Sequence, residues 1–228
     1  MVSETELKQK WKRSETETES KLNWKGKFGV MKVKETAFIF IEFQNEFCTP
    51  GGKLFEAVKG ELERNQTIAN AQRLLAGARE KGCLVIHCPF VLNEEWTASH
   101  ACSGILSGIL ENQIFAPNSW GHEIIDAMKP MEGEAVLENK HTLSAFSHTK
   151  LDAILRENGI KNLIISGFLT NVCAQGTAFS AYDAGYQTRM ALDACCALSQ
   201  SIQEYVEMQF APVLGGKSLT DELLADIA

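Results

Sequence analysis

The sequence predicts an α/β fold of three layers, a Rossmann-like arrangement in which helices cover both faces of a central parallel sheet. Three observations predict it. Short apolar runs of strand length alternate with segments of helical period, which is how a parallel sheet with crossover helices is written in a chain. The runs are apolar on both faces, as strands buried under two helical layers must be. Just past the runs, at three places far apart in the chain, stand residues able to do chemistry: Glu42, Lys140 and Cys173.

The first 35 residues read as an appendage to a single domain spanning 36–228. They mix charges of both signs with Ser and Thr and keep no period long enough to bury a face. Trp11 and Trp24 are exceptions, and two readings stay open: an arm pinned to the body or to a neighbouring subunit, or a mobile tail. Order begins at TAFIFIEFQNEF, where Ala37–Ile41 is suited to a central strand and the chain turns polar at Glu42. CTPGGKL, residues 48–54, is a loop by its Pro and paired Gly. A helix is expected from about Arg64 to Glu80, with Ile68, Ala71, Leu74, Leu75 and Ala78 on one face and Gly82 as its stop.

CLVIHCPF, residues 83–90, is the second strand. Its Cys83, His87 and Cys88 invite a metal reading, but Cys83 and Cys88 point to opposite faces of one strand and no second ligand pair is near, so packing is expected. Residues 91–121 form a long insert of little periodicity, of the kind that often carries function. One helical turn is expected over His122–Met128, then a third strand at EAVLEN, residues 134–139, with Lys140 at its exit. A helix over Ser147–Glu157 leads through Gly159 to the strand Asn162–Ser166, which Gly167 should end. Thr170 or Asn171 can cap a helix starting near Val172. The last strand, YQTRMALDA, again puts an acid, Asp193, near its exit, and helices at about Ser201–Gln209 and Leu219–Ile227 close the chain.

Cys173 thus falls in the first turn of a helix at the carboxyl end of a strand, where unpaired N–H groups and the helix dipole favour a thiolate. Alone, the commoner fate of such a cysteine is packing as a small apolar residue. Glu42 and Lys140 alone read as solvated or ion-paired loop residues. Together the three gain weight, because the carboxyl ends of parallel strands open on one crevice, where ligands bind in such sheets.

Composition narrows the partners. With 45% hydrophobic residues and no run long enough to span a bilayer, no membrane association is expected. Net charge is −7, and outside the first 35 residues thirteen Lys and Arg face twenty-three Asp and Glu, which argues against nucleic acid. Seven cysteines, two of them adjacent, are no disulfide framework, and MVSETELKQKWKR lacks the apolar core of a signal peptide, so a reducing, cytoplasmic setting is expected.

Three separated motifs, FIFIEFQNEFCTPGGKL, ENKHTLSAF and GFLTNVCAQGTAFSAYDAGY, resemble in order and spacing the isochorismatase-like cysteine hydrolases. That superfamily includes nicotinamidases and N-carbamoylsarcosine amidohydrolases. The resemblance covers about residues 36–228. It implies a catalytic triad of Glu42, Lys140 and Cys173, and a cis peptide between Phe168 and Leu169 that turns the Leu169 N–H inward to form an oxyanion hole with the N–H of Cys173. It further implies hydrolysis of a C–N bond in a small-molecule amide or ureide through a thioester, no cofactor, and assembly into a homo-oligomer. Lys140 should stabilise the thiolate while the carboxylate trades the proton.

Two departures from the family pattern stand out. Glu42 occupies a place where Asp is usual, which moves the carboxylate by about 1.5 Å on a fixed backbone. After the second strand, CPFVLNEEWTASH lacks the Asp-x-His pair of the metal-dependent nicotinamidases, so no metal is expected. Phe47, Trp96, Trp120 and Phe168 are expected to border the substrate pocket, or else to pack the insert. His141 and His148 are read either as proton shuttles or as solvated. Two other functions stay open: vinyl-ether hydrolysis of the isochorismatase type, which in the family does not need the thiol, and a non-catalytic interaction protein that kept the fold.

Overall fold

A computed structural model describes residues 29–100 and 102–228. The expectations for Trp11 and Trp24 lie outside the described residues. Strand β1 (Thr36–Ile41) is buried at all six positions. A turn of helix, α1 (Asn45–Cys48), follows, then α2 (Phe55–Asn65) and α3 (Thr67–Lys81), then β2 (Leu84–Cys88). The insert carries α4 (Glu94–Ser99) and α5 (Ile105–Glu111) and leads to a short β3 (Ala135–Val136). Next come α6 (Leu151–Glu157), β4 (Asn162–Phe168), a π turn over Thr170–Ala174, α7 (Gln175–Asp183), β5 (Gln187–Cys196), α8 (Gln200–Tyr205) and α9 (Thr220–Ala225).

All five strands are parallel, in the order β3-β2-β1-β4-β5. The three-layer expectation holds: alternate residues of β1 enter opposite cores. Phe38 and Phe40 pack with Leu74 and Leu75 of α3, whereas Ala37, Ile39 and Ile41 pack with Leu151 and Leu155 of α6 and Ala178 of α7. The same alternation divides β2, with Val85 in the first core, joined by Cys83 just before the strand, and Cys88 in the second. His87 instead faces Glu134, its Nε2 2.9 Å from the carboxylate. No helix among the described residues is long and apolar enough to cross a membrane.

Several boundaries differ from the sequence reading. The helix expected to begin near Arg64 is two helices, broken at Gln66, which takes a left-handed conformation with φ 50. Neither Gly nor Pro marks that break. Asn65 holds it by donating to the carbonyls of Leu192 and Cys195 at the end of β5. The third strand is two residues long, not six, and the sixth helix starts at Leu151 rather than Ser147. Asp193 does not serve the strand exits as a free acid: its Oδ1 accepts both the N–H and the hydroxyl of Thr220, fixing α9.

Gly167 does not end its strand. β4 runs through it to Phe168 with a register shift against β5, and at φ 123 a Cβ there would lie 1.9 Å from the Ile41 carbonyl oxygen. Only glycine lets β4 approach β1 this closely. Met31 is buried and exchanges backbone hydrogen bonds with the C-terminal residues, so residues from 31 onward are part of the folded body.

Candidate active site

Sheet order reverses between β1 and β4, which makes their carboxyl ends the switch point at which a crevice forms. Glu42 leaves β1 at that point in a left-handed conformation, φ 58, with its N–H bonded to the Cys88 carbonyl at 3.1 Å. Lys140 arrives from the far side of the sheet. The chain after β3 runs back along the exit of β2, Leu137 donating to the His87 carbonyl and Val91 to that of Lys140. The Lys140 ammonium thereby reaches the Glu42 carboxylate, with a second bond of 3.1 Å to the Thr142 carbonyl. The ring of Phe90 lies 4.9 Å from the same nitrogen.

Cys173 completes the group. Its thiol lies close enough to Glu42 and Lys140 for both to act on its charge. The Leu169 N–H favours the charged form of the sulfur, and the peptide between Phe168 and Leu169 is cis. All three predicted triad residues are therefore brought together, although Lys140 is fully buried and Cys173 only 4% exposed.

Burial governs the charge states. It pushes the Cys173 thiol well above its ordinary range, the Glu42 carboxylate pushes the same way, and Lys140 and the Leu169 N–H only partly oppose them. Burial also opposes the charge on Lys140, yet Glu42 first and Cys173 next hold that amine above its ordinary value. Both directions favour a neutral thiol beside a charged ammonium. This corrects the expectation of a thiolate held by a helix start: Cys173 sits on a π turn capped by no side chain, and Thr170 donates to Gln203 instead.

A cavity of about 250 Å³ opens on Glu42 and Cys173. Its walls are Phe47, Leu54, Phe90 and Leu169 from the strand exits, Ile105, Gly108, Ile109 and Asn112 in and just after α5, then Ile114 and Phe115. Leu143, Val172 and Leu198 complete it. Of the four aromatics expected to border a pocket, Phe47 does so. Phe168 is fully buried behind it, the two rings stacked at 5.0 Å. Trp120 is 48% exposed and does not line the cavity. Trp96 packs against His100, His141 and His148, away from the cavity. Nor is His141 solvated: it is buried, with Nδ1 on the Asn139 carbonyl.

The sequence reading missed what holds the walls in place. Gln44 is fully buried, accepts the Phe90 N–H, and donates to the carbonyls of Phe90 and His122. Asn45 donates to the Trp120 carbonyl, and the Glu46 carboxylate accepts the N–H of Lys53 and of Phe115. The triplet QNE thus staples the insert to the exit of β1. Three consecutive polar residues after a buried strand were the available signal.

The isochorismatase domain family model matches residues 36–217. Among solved structures, a cysteine hydrolase from Pseudomonas syringae pv. phaseolicola 1448A superposes with a TM-score of 0.76 at 24% identity, covering 87% of this chain and 95% of its own. An isochorismatase family protein from Desulfovibrio vulgaris subsp. vulgaris str. Hildenborough gives 0.64 at 28% identity, over 75% of this chain and 86% of its own. N-carbamoylsarcosine amidase from Thermoplasma acidophilum has a similar fold, with a TM-score of 0.63 at 24% identity over 82% of this chain and 98% of its own.

Proposed function

The chain belongs to the isochorismatase family, and from that premise we propose that it is a cysteine hydrolase cleaving the C–N bond of a small amide or ureide through a thioester on Cys173. One observation carries the reading: Cys173 and Glu42, the latter ion-paired with Lys140, line one cavity large enough for a small substrate. A thiol so placed needs no prior ionisation. As the sulfur attacks the carbonyl carbon, Glu42 takes its proton; Lys140 keeps the carboxylate oriented and offsets the charge. The N–H groups of Leu169 and Cys173 receive the oxyanion, a contribution typically worth about 3 to 4 kcal/mol for one donor.

Collapse of that intermediate breaks the C–N bond. Glu42 returns the proton to the departing nitrogen, and ammonia or an amine leaves. Water then attacks the thioester, Glu42 takes a proton from it, and the acid is released as that proton returns to sulfur. Each step conserves the single proton that the carboxylate holds.

Ammonia release from a panel of small amides and ureides tests this. The wild-type protein should turn over at least one, and Cys173→Ala should fall by about ten-thousandfold or more while keeping its thermal midpoint. Wild-type turnover in Cys173→Ala would overturn the mechanism.

A further inference from the structure

The cavity also says what it takes. Resting on the hydrolase reading above, we propose that the substrate is a small uncharged primary amide with an aliphatic or aromatic acyl group, and that carboxylate-bearing ureides such as N-carbamoyl amino acids are refused. At 250 Å³ the cavity lies just below the range of about 300–1,000 Å³ usual for drug-sized ligands. Only three of its wall side chains, Glu42, Asn112 and Cys173, are polar or reactive. The Asn112 amide is already donating to the Gly108 carbonyl at 2.9 Å.

No Lys or Arg lines the cavity among the described residues. Lys140 lies behind Glu42, fully buried and committed to that carboxylate and to the Thr142 carbonyl. Lys53, next to Leu54 in sequence, is bound to the carbonyls of Asn112 and Gln113, at 2.9 and 2.6 Å. A carboxylate entering here would lose its hydration, meet no cation and approach Glu42. An apolar acyl chain has the opposite fate. A primary amide needs an acceptor for its N–H and donors for its oxygen, and Glu42 with the Leu169 and Cys173 N–H groups supplies these at one end. The rest of the molecule then meets Phe90, Ile109, Ile114, Phe115, Leu143 and Leu198.

Gly108 offers a way to test the pocket without disrupting it. It lines the cavity from α5, and a Cβ built on it meets nothing within 4 Å, so a side chain can start there, and Gly108→Leu adds bulk at the wall. The experiment measures ammonia release from acetamide, propionamide, butyramide, hexanamide, benzamide and N-carbamoylglycine, and binding of the same compounds to Cys173→Ala by calorimetry. For wild type, kcat/KM should climb about fourfold per methylene from acetamide to butyramide. N-carbamoylglycine should lie about a hundredfold or more below butyramide. Gly108→Leu should lower the hexanamide-to-acetamide ratio by about tenfold.

N-carbamoylglycine turned over as well as butyramide, a flat series, or an unchanged ratio in Gly108→Leu would each overturn the proposal while leaving the hydrolase reading intact. If the wild-type protein releases no ammonia from any compound, the hydrolase reading fails and binding to Cys173→Ala decides the pocket. Affinity rising along the amide series then upholds it, and no binding, or preference for N-carbamoylglycine, overturns it.

Discussion

Replacing Glu42 by Gln separates two jobs that one carboxylate performs. In the proposed mechanism the carboxylate accepts the thiol proton, and its charge also raises the Cys173 pKa while holding Lys140. In Glu42→Gln the repulsion on sulfur disappears and the ammonium is released toward it, so the thiol should ionise at lower pH than in wild type. Iodoacetamide should then label Cys173 faster near neutral pH even as amide turnover falls by about a hundredfold or more, because the proton acceptor is gone. Slower labelling together with lost turnover would contradict this division of labour. Glu42→Asp keeps the charge but shortens the reach, and should retain about a hundredth of the activity. The ends of apolar runs put Glu42, Lys140 and Cys173 at one edge of the sheet, and the resemblance to a family grouped them as a triad. The sequence could not place the proton, because that depends on how completely the sulfur is enclosed, and enclosure is made by the insert and by Leu198, far along the chain.

Elements were legible where their pattern is local, and obscured where a distant partner decides. β1, β2 and β4 are continuous apolar runs and were read within a residue or two, whereas Phe55–Asn65 was missed because its start follows a Pro-Gly-Gly loop and its end lacks a marker. β3 is short for a similar reason. Its position at the sheet edge is fixed by Glu134, whose carboxylate takes bonds from Arg79 of α3, from the Met131 N–H and from His87 of β2. Although its burial works the other way, those partners hold the Glu134 carboxyl at about 2, below its ordinary 4.5. The carboxylate therefore stabilises the folded chain fully above the unfolded value, and that contribution fades as pH falls from about 4.5 toward 2. Chemical denaturation of wild type should lose about 2 kcal/mol between pH 6 and pH 3 on this account. Glu134→Gln should be less stable at pH 6 and lose correspondingly less on acidification. An identical pH dependence in the variant would show that Glu134 is not the group responsible.

For the molecule as a whole, the sheet order accounts for the site. Reversal between β1 and β4 opens the crevice, the close approach permitted at Gly167 sets its width, and the QNE staple closes one side with α5. The parallel three-layer fold was legible because strands buried on both faces cannot be mistaken for alternating ones. The pocket was not, and three of the four aromatics expected there, Trp96, Trp120 and Phe168, lie elsewhere because aromatic residues serve core and cavity alike. Aliphatic residues of α5, which carry no chemical signature, supply much of the wall instead. The proposed mechanism turns on a covalent bond to one sulfur. The direct test is to quench the protein in acid during turnover of an amide it hydrolyses, digest it, and locate the acyl group by mass. The account predicts the acyl mass on the peptide carrying Cys173; an acyl group on any other residue would contradict it.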